Sequence, residues 1–293
     1  MTKTSRTLQF VFVLAVSVAL GWRPLMSTLT LALRSDEYTH ILLILPLSCA
    51  LVYLQNLRRL PDFKPAVGAG SALLIVALLV ASFARWGADG LTPNVRLSLS
   101  MFALVTWWIG CIAFYLGIRA FQALLLPLCF LFWLVPIPAI ALDAIIHFLQ
   151  HQSALAARVL FMAAGVPVTQ DGIVLSIPGL DIEVARECSS IRSSLMLIVT
   201  TMVLAHLFLR SGWRKAVLTA ATVPVAAVKN GLRIFTITQL GTRVDAGFFD
   251  GRLHHRGGII FFAISLAMMA VLLWGLRRTE NLESRGLRVA SLK

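Results

Sequence analysis

Residues 257–276 read "GGIIFFAISLAMMAVLLWGL", a run of 20 residues without a charged side chain, bounded by Arg256 and Arg277. An α-helix of about 20 residues is long enough to cross the roughly 30 Å hydrocarbon core of a bilayer. Similar apolar runs recur along the chain, and they predict about eight spans, at 7–32, 39–55, 66–86, 97–117, 120–138, 188–209, 216–240 and 257–276. The sequence thus predicts an all-α fold, a polytopic membrane helical bundle.

The composition supports lipid as the solvent for most of the chain. Of the 293 residues, 58% are hydrophobic and only 13% are charged, whereas soluble domains carry about 25% charged residues. The net charge of +13 fits the positive-inside rule, because the side that would hold both termini collects 14 of the 26 Lys and Arg residues and three of the 13 acids. We therefore predict cytoplasmic termini, a basic cytoplasmic tail at 277–293, and no nucleic-acid partner.

One long segment, 139–187, is predicted to lie outside the membrane on the extracytoplasmic face. Its first half has Asp143, His147, His151 and Arg158 on one side of an amphipathic helix. Its second half alternates in polarity around an Asp-Gly and a Pro-Gly pair, which is typical of short strands joined by turns. We predict one integral membrane domain over residues 1–293, with this small segment on its outer surface.

Three polar clusters lie where spans should begin or end at the outer face: "ECSSIRSS" (187–194), "KNGLRIF" (229–235) and "GRLHHRGGIIFF" (251–262). Ionisable groups at membrane depth are costly and usually mark function. Cys188 comes at the start of a predicted helix, and Arg192 lies one turn further on. A helix N-terminus and a nearby cation favour the reactive thiolate, although an inert interfacial cysteine is an equal interpretation of its position.

Arg233 and the adjacent histidines could complete a reactive site around this cysteine. If spans six and seven pack antiparallel, Arg233 comes within reach of Cys188, where a guanidinium could stabilise an oxyanion. It could also snorkel to the interface or pair with Glu187. Either His254 or His255 could act as the general acid and base.

At these residues the sequence resembles the exosortase/archaeosortase family of membrane cysteine transpeptidases. The family has a Cys-Ser-Gly-Ile-Arg-Ser element, an Asn-x-x-Arg element and a His followed by Gly, which are similar here to "ECSSIRSS", "NGLR" (Asn230 to Arg233) and "LHHRGG". The early "DEYTHILLILP" resembles a further Tyr-Ser-His segment, with His40 as its histidine. Ser190 stands where the family usually has glycine.

The resemblance implies Cys188 as the nucleophile, Arg233 as the oxyanion or carbonyl stabiliser and His254 as the acid/base, with glycines three and four residues after that histidine. It implies cleavage of exported proteins at a C-terminal sorting signal, made of a short motif, a hydrophobic span and a basic end. Cleavage would pass through a thioester, and an acceptor nucleophile of unknown identity would receive the protein. No cofactor or metal ion is expected.

Two other functions remain open. His147 and His151 have the i, i+4 spacing of a zinc-binding helix, but Phe148 occupies the position of the usual glutamate. A non-enzymatic transporter or a polysaccharide-export or assembly factor would use the intramembrane charges and not the thiol. Zinc content of the purified protein tests the first, and replacement of Cys188 distinguishes the second from the transpeptidase.

Overall fold

The computed structural model describes residues 3–54, 65–87, 90–186, 191–245, 247 and 258–290. The chain divides into two compact units, Met1–Leu142 and Asp143–Lys293. Nearly all of the regular structure is helical, and a small three-stranded sheet lies in the second unit. The prediction of a helical membrane bundle with a short strand segment is therefore confirmed.

The first unit is built around one long, largely buried helix, α5. Its helices are α1 (Lys3–Leu20), α2 (Trp22–Arg34), α3 (Ile41–Leu54), α4 (Val67–Trp86), α5 (Pro93–Leu116), α6 (Ile118–Ala123) and α7 (Leu125–Phe130), with 3-10 turns at Asp36–Tyr38 and Leu131–Leu134. Thr92 caps α5 by accepting a hydrogen bond from the Val95 N–H, and proline at the first helical position is favourable there. The indole N–H of Trp108 donates to Ser17 Oγ at 3.0 Å and ties α5 to α1.

The second unit contains most of α8 (Ala139–Ala163), then β1 (Thr169–Asp171), β2 (Val174–Ile177), β3 (Leu180–Glu183), α9 (Ile191–Phe208), α10 (Gly212–Ala220), α11 (Thr222–Arg243) and α12 (Gly258–Ala290). The strands pair antiparallel in the order β1-β2-β3. Gly172 (φ 57°) and Gly179 (φ 83°) provide the positive φ of the two tight turns. The helix and strands predicted for 139–187 are thus both present.

Five helices in the described ranges are long and apolar enough to cross a membrane, judged by length and composition: Asp36–Leu54, Val67–Trp86, Pro93–Leu116, Ile191–Phe208 and Gly258–Glu283. Two bent pairs, Leu8–Leu20 with Trp22–Arg34 (64°) and Leu125–Leu134 with Ala139–Ala163 (97°), raise the number to seven if each is one span. The expected single helices over 7–32 and 120–138 are therefore broken ones. The expected span 216–240 is divided into α10 and α11, and this pair is not among the candidates.

The break within 120–138 has a clear local cause. Gly117 ends α5 with φ 87°, and two prolines, Pro136 and Pro138, prevent a helix from continuing beyond the 3-10 turn. The exposed carbonyls of this connection are bound by other side chains of the unit. Tyr38 donates its O–H to Ile137 O at 2.9 Å, and Ser98 donates its O–H to Pro136 O at 2.7 Å. An irregular segment can persist in an apolar environment only with such partners.

Candidate functional site on α11 and the first turn of α9

Three polar side chains project from the middle of α11, at positions i, i+1 and i+4. Lys229 and Asn230 are almost completely buried, at 2% and 1% exposure, and Arg233 is half-buried. Lys229 and Arg233 are one turn apart, so their charges lie on the same face of the helix. Burial of a cation is unfavourable without polar partners, so this face of α11 requires a specific polar environment.

The first turn of α9 provides part of that environment. The Lys229 ammonium donates to Ser193 Oγ at 2.5 Å. Within the described ranges, no carboxylate lies within salt-bridge distance of Lys229. Next to this contact, Ser194 is buried and Arg192 is exposed. The start of α9 therefore combines hydroxyl groups with two or more nearby cations.

The packing of the two helices indicates where Arg233 lies along them. Leu197 and Ala205 of α9 share a core cluster with Val225 of α11, whereas Ser193 contacts Lys229. The helices therefore run antiparallel. Four residues of helix rise about 6 Å, so Arg233 lies about one turn beyond Ser193, toward and past the beginning of α9 at Ile191.

A glycine sets the distance between α11 and α8. A Cβ added at Gly231 would lie 2.6 Å from Ala156 Cβ and 2.8 Å from the backbone nitrogen of Ala157. Side chains larger than hydrogen therefore do not fit at this crossing. Next to it, Phe161 of α8 and Phe235 of α11 pack edge to face with their ring centres 5.1 Å apart. Gly231 and Phe235 are one turn apart and lie on the side of α11 away from Lys229 and Arg233, so their contacts with α8 fix the rotation of the helix and with it the direction of the polar face.

Contacts with the sheet and α8 hold the chain as far as Arg186, just before the undescribed residues 187–190. Gln150 donates to the Val184 carbonyl at 2.7 Å, and Leu175 and Val184 join Phe161 in one buried cluster. The guanidinium of Arg186 pairs with Asp143 at 2.8 Å. Arg186 and Ser193, on either side of the undescribed residues 187–190, thus both have side-chain partners.

The family model described as "Transmembrane exosortase" matches residues 26–271, which is most of the chain. The chain belongs to the transmembrane exosortase family. Together with the apolar helices, this makes it an integral membrane protein. No curated protein and no solved structure matches it.

Several of the residues predicted for the exosortase site lie outside the described ranges: Glu187, Cys188, His254 and His255. The described ones divide between the two units. Asn230 and Arg233 come together on α11 beside the first turn of α9, which carries Arg192. Their catalytic roles, and that of Cys188, stay predictions.

His40 belongs to the first unit, where it is 2% exposed. Its ring meets Trp133 edge to face at a centroid distance of 6.0 Å. A buried imidazole in such an aromatic contact is also a common structural arrangement, so the packing by itself assigns no role to this residue.

The histidines of the zinc alternative are exposed. His147 and His151 both lie on the surface of α8, near Asp143 and Arg158 on its polar side. Across the ranges that the structure describes, no group of three or more His, Cys, Asp or Glu side chains is placed to hold a metal ion.

Lys229 is the residue that the sequence analysis did not single out. Its signal was present, since a lysine in the middle of a predicted membrane span is a functional candidate by its cost alone. What the sequence could not provide was its direction. A lysine near a span end usually extends its ammonium to the interface, whereas here the ammonium turns inward to Ser193.

Proposed function

We propose that this exosortase is a cysteine transpeptidase or peptidase embedded in the membrane, with Cys188 as its nucleophile. It cleaves exported proteins at a C-terminal sorting signal and transfers the released acyl group to an acceptor. The observation that carries the proposal is the group formed by the buried Lys229 and Asn230 and the half-buried Arg233, with Lys229 bonded to Ser193 in the first turn of α9. That turn begins three residues after Cys188 in the sequence.

The cations of this group suit the chemistry of a thiol nucleophile. Positive charge favours the thiolate over the thiol, and the N-terminal end of α9 adds its partial positive charge. The same charges would favour the oxyanion that forms when a thiolate attacks a carbonyl. In this proposal Arg233 binds the oxyanion, while Lys229 adds positive electrostatic potential and holds the start of α9 in place.

The reaction proceeds in two balanced steps. The Cys188 thiolate attacks the scissile carbonyl, a carbon–sulfur bond forms, and the carbon–nitrogen bond breaks as protonated His254 donates its proton to the leaving amine. The acceptor nucleophile then attacks the thioester, His254 takes the acceptor's proton, and the carbon–sulfur bond breaks to return the thiolate. Water as acceptor gives hydrolysis, and an amine or hydroxyl gives transfer.

A site at the end of a span suits a substrate whose cleavage point lies at the end of its own hydrophobic helix. We place the protein in the cytoplasmic (inner) membrane with cytoplasmic termini and the site at the extracytoplasmic face. The positive-inside distribution supports this orientation. The sheet beside α8 would then lie on the face from which exported substrates and acceptors approach.

Cysteine replacement tests the proposal directly. A reporter protein that ends in a sorting signal from the same cell is expressed with the wild type, Cys188→Ala or Cys188→Ser, and the cleaved product is quantified. Both variants should lose at least about 10³-fold in rate, as expected for removal of a nucleophile. Cys49→Ala, at an exposed position on α3, is the matched control and should retain cleavage. Full sorting by Cys188→Ala would refute the enzyme and favour the transporter or assembly factor.

Trapping the intermediate tests the roles of the two histidines. In His254→Ala, transfer to the acceptor should slow, and a reporter adduct on Cys188 that hydroxylamine releases should accumulate. His255→Ala should not accumulate it. Accumulation in His255→Ala alone would assign the proton transfer to His255. An adduct in neither variant, with cleavage lost in both, would show that protonation of the leaving amine limits thioester formation, and would contradict the expectation that only transfer to the acceptor slows.

A further inference from the structure

The first unit contains a large apolar groove that plays no part in the proposed reaction. Its volume is about 810 Å³, and its walls come from α1, α2, α4 and α5. Its lining residues include Phe12 and Val16 of α1, Leu104 and Trp107 of α5, and alanines of α4. The volume and the apolar walls are those of a site for a drug-sized or larger hydrophobic ligand.

Three arginines also line this groove: Arg23, Arg85 and Arg96. Each lies near the end of its helix, because Arg23 is the second residue of α2, Arg85 is in the last turn of α4, and Arg96 is in the first turn of α5. No acidic side chain is among the described residues that line it. The groove thus combines apolar walls with a cationic lining.

Arg85 and Arg96 flank the α4–α5 connection, which the predicted topology places on the extracytoplasmic side. The Arg85 guanidinium lies over the Trp86 ring, 5.8 Å from its centroid. Together with Arg23, these arginines give the groove positive charge beside its apolar walls. Guanidinium groups bind phosphate oxygens in paired hydrogen bonds.

We infer that this groove binds an anionic phospholipid of the surrounding bilayer, with its phosphate at the arginines and an acyl chain along the apolar walls. A free anion would gain nothing from the apolar walls, and an uncharged lipid would gain nothing from the arginines. Basic pockets between membrane helices bind acidic headgroups in this way. The inference does not rest on the transpeptidase proposal, because its residues all lie in the first unit.

Native mass spectrometry of the full-length protein, purified in a neutral detergent, tests the site. The protein is titrated with dioleoylphosphatidylglycerol, with dioleoylphosphatidylcholine, which has the same chains and no net charge, and with a polyprenyl phosphate. The phosphatidylglycerol should bind at least about tenfold more tightly than the phosphatidylcholine, since each basic residue near an acidic headgroup contributes about fivefold. Equal binding of the two phospholipids, or tighter binding of the polyprenyl phosphate, would overturn the assignment.

Variants then separate the two halves of the groove. Arg23→Gln with Arg85→Gln removes two of the three lining arginines and should lower the preference for phosphatidylglycerol at least about tenfold. Ala81→Phe, which fills the apolar part, should weaken the binding of both phospholipids. Arg34→Gln is the matched control, because Arg34 is an exposed arginine of α2 outside the groove, and it should change neither. A thermal melt of each variant shows whether it is folded. If the double variant is not folded, the binding measurements are made on the single variants Arg23→Gln and Arg85→Gln. An unchanged preference in the folded double variant would refute the site.

Discussion

Replacement of Gly231 by alanine tests whether the contact between α8 and α11 is as close as the structure shows. The new Cβ would meet Ala156 Cβ at 2.6 Å, where ordinary contact begins at 3.4 Å, so the helices must separate locally by about 0.8 Å. A backbone atom of Ala157 is also in the way at 2.8 Å. Overpacking of this kind lowers the free energy of unfolding by about 1–3 kcal/mol. We expect a loss near the upper end of this range, because backbone atoms at the crossing cannot move aside as a flexible side chain can.

The measured effect also contains a helix-propensity gain, because alanine is favoured over glycine in a helix interior by about 1 kcal/mol. We therefore expect a net loss of about 2 kcal/mol for Gly231→Ala, or about 4–8 °C in the midpoint of a detergent-phase thermal melt. Gly275→Ala in α12 is the matched control, since nothing lies within 4 Å of the added atom. It should melt at the same temperature or above.

A second helical glycine provides the positive control. A Cβ at Gly70 of α4 would lie 2.6 Å from the backbone of Phe114, so Gly70→Ala should destabilise the first unit by a similar amount. If Gly231→Ala melts like Gly275→Ala while Gly70→Ala melts lower, the α8–α11 crossing is looser than described. The fixed position of Arg233 would then lose its structural basis.

Two substitutions and one labelling experiment probe the second unit. Lys229→Met should change the melting temperature by no more than a few degrees but slow reporter cleavage at least about tenfold, which corresponds to about 1.4 kcal/mol in activation free energy. Lys229→Arg should retain more activity than Lys229→Met. Equal cleavage rates for Lys229→Met and the wild type would show that Lys229 is not part of the site. Arg214→Met should lower the free energy of unfolding by about 2–3 kcal/mol. The Arg214 side chain is only 3% exposed and binds Glu283 at 2.5 Å and Glu280 at 3.5 Å, and the figure is reduced because Glu283 is 66% exposed. Arg210→Ala, at an exposed neighbouring position, should leave the same thermal melt unchanged. Cys188 should react with a membrane-impermeant maleimide faster than the other three cysteines, and uniformly slow labelling would argue against an activated thiol.

The helical elements were well predicted because long apolar runs have few alternatives to spanning a membrane. The two strand turns were also readable, since Asp-Gly and Pro-Gly permit only a few turn types. The breaks within the helices could not be predicted from the sequence. The chain bends near Gly21 and near Pro136. At Pro136 the released carbonyl is bound by Ser98, a partner that is distant in sequence.

The site was predicted in its residue types and only in part in its geometry. Sequence placed Asn230 and Arg233 together, because they share one helix, and the structure describes them beside the start of α9. It did not anticipate that Lys229 reaches Ser193, because the direction of a long side chain depends on how two helices pack. The role of Gly231 could not be predicted for the same reason, since only the tertiary structure shows that α8 packs where its side chain would be.

The small antiparallel sheet also has a practical use. Its two glycine turns have no other atoms within 4 Å of an added Cβ, whereas the strands behind them are anchored by Leu175 and Val184 in a buried cluster. A protein of 32.1 kDa that is mostly enclosed by a micelle offers few features for particle alignment in electron cryomicroscopy. A rigid fusion partner spliced between Pro178 and Gly179 would give such images a fiducial, and would report on which side of the membrane the hairpin is displayed.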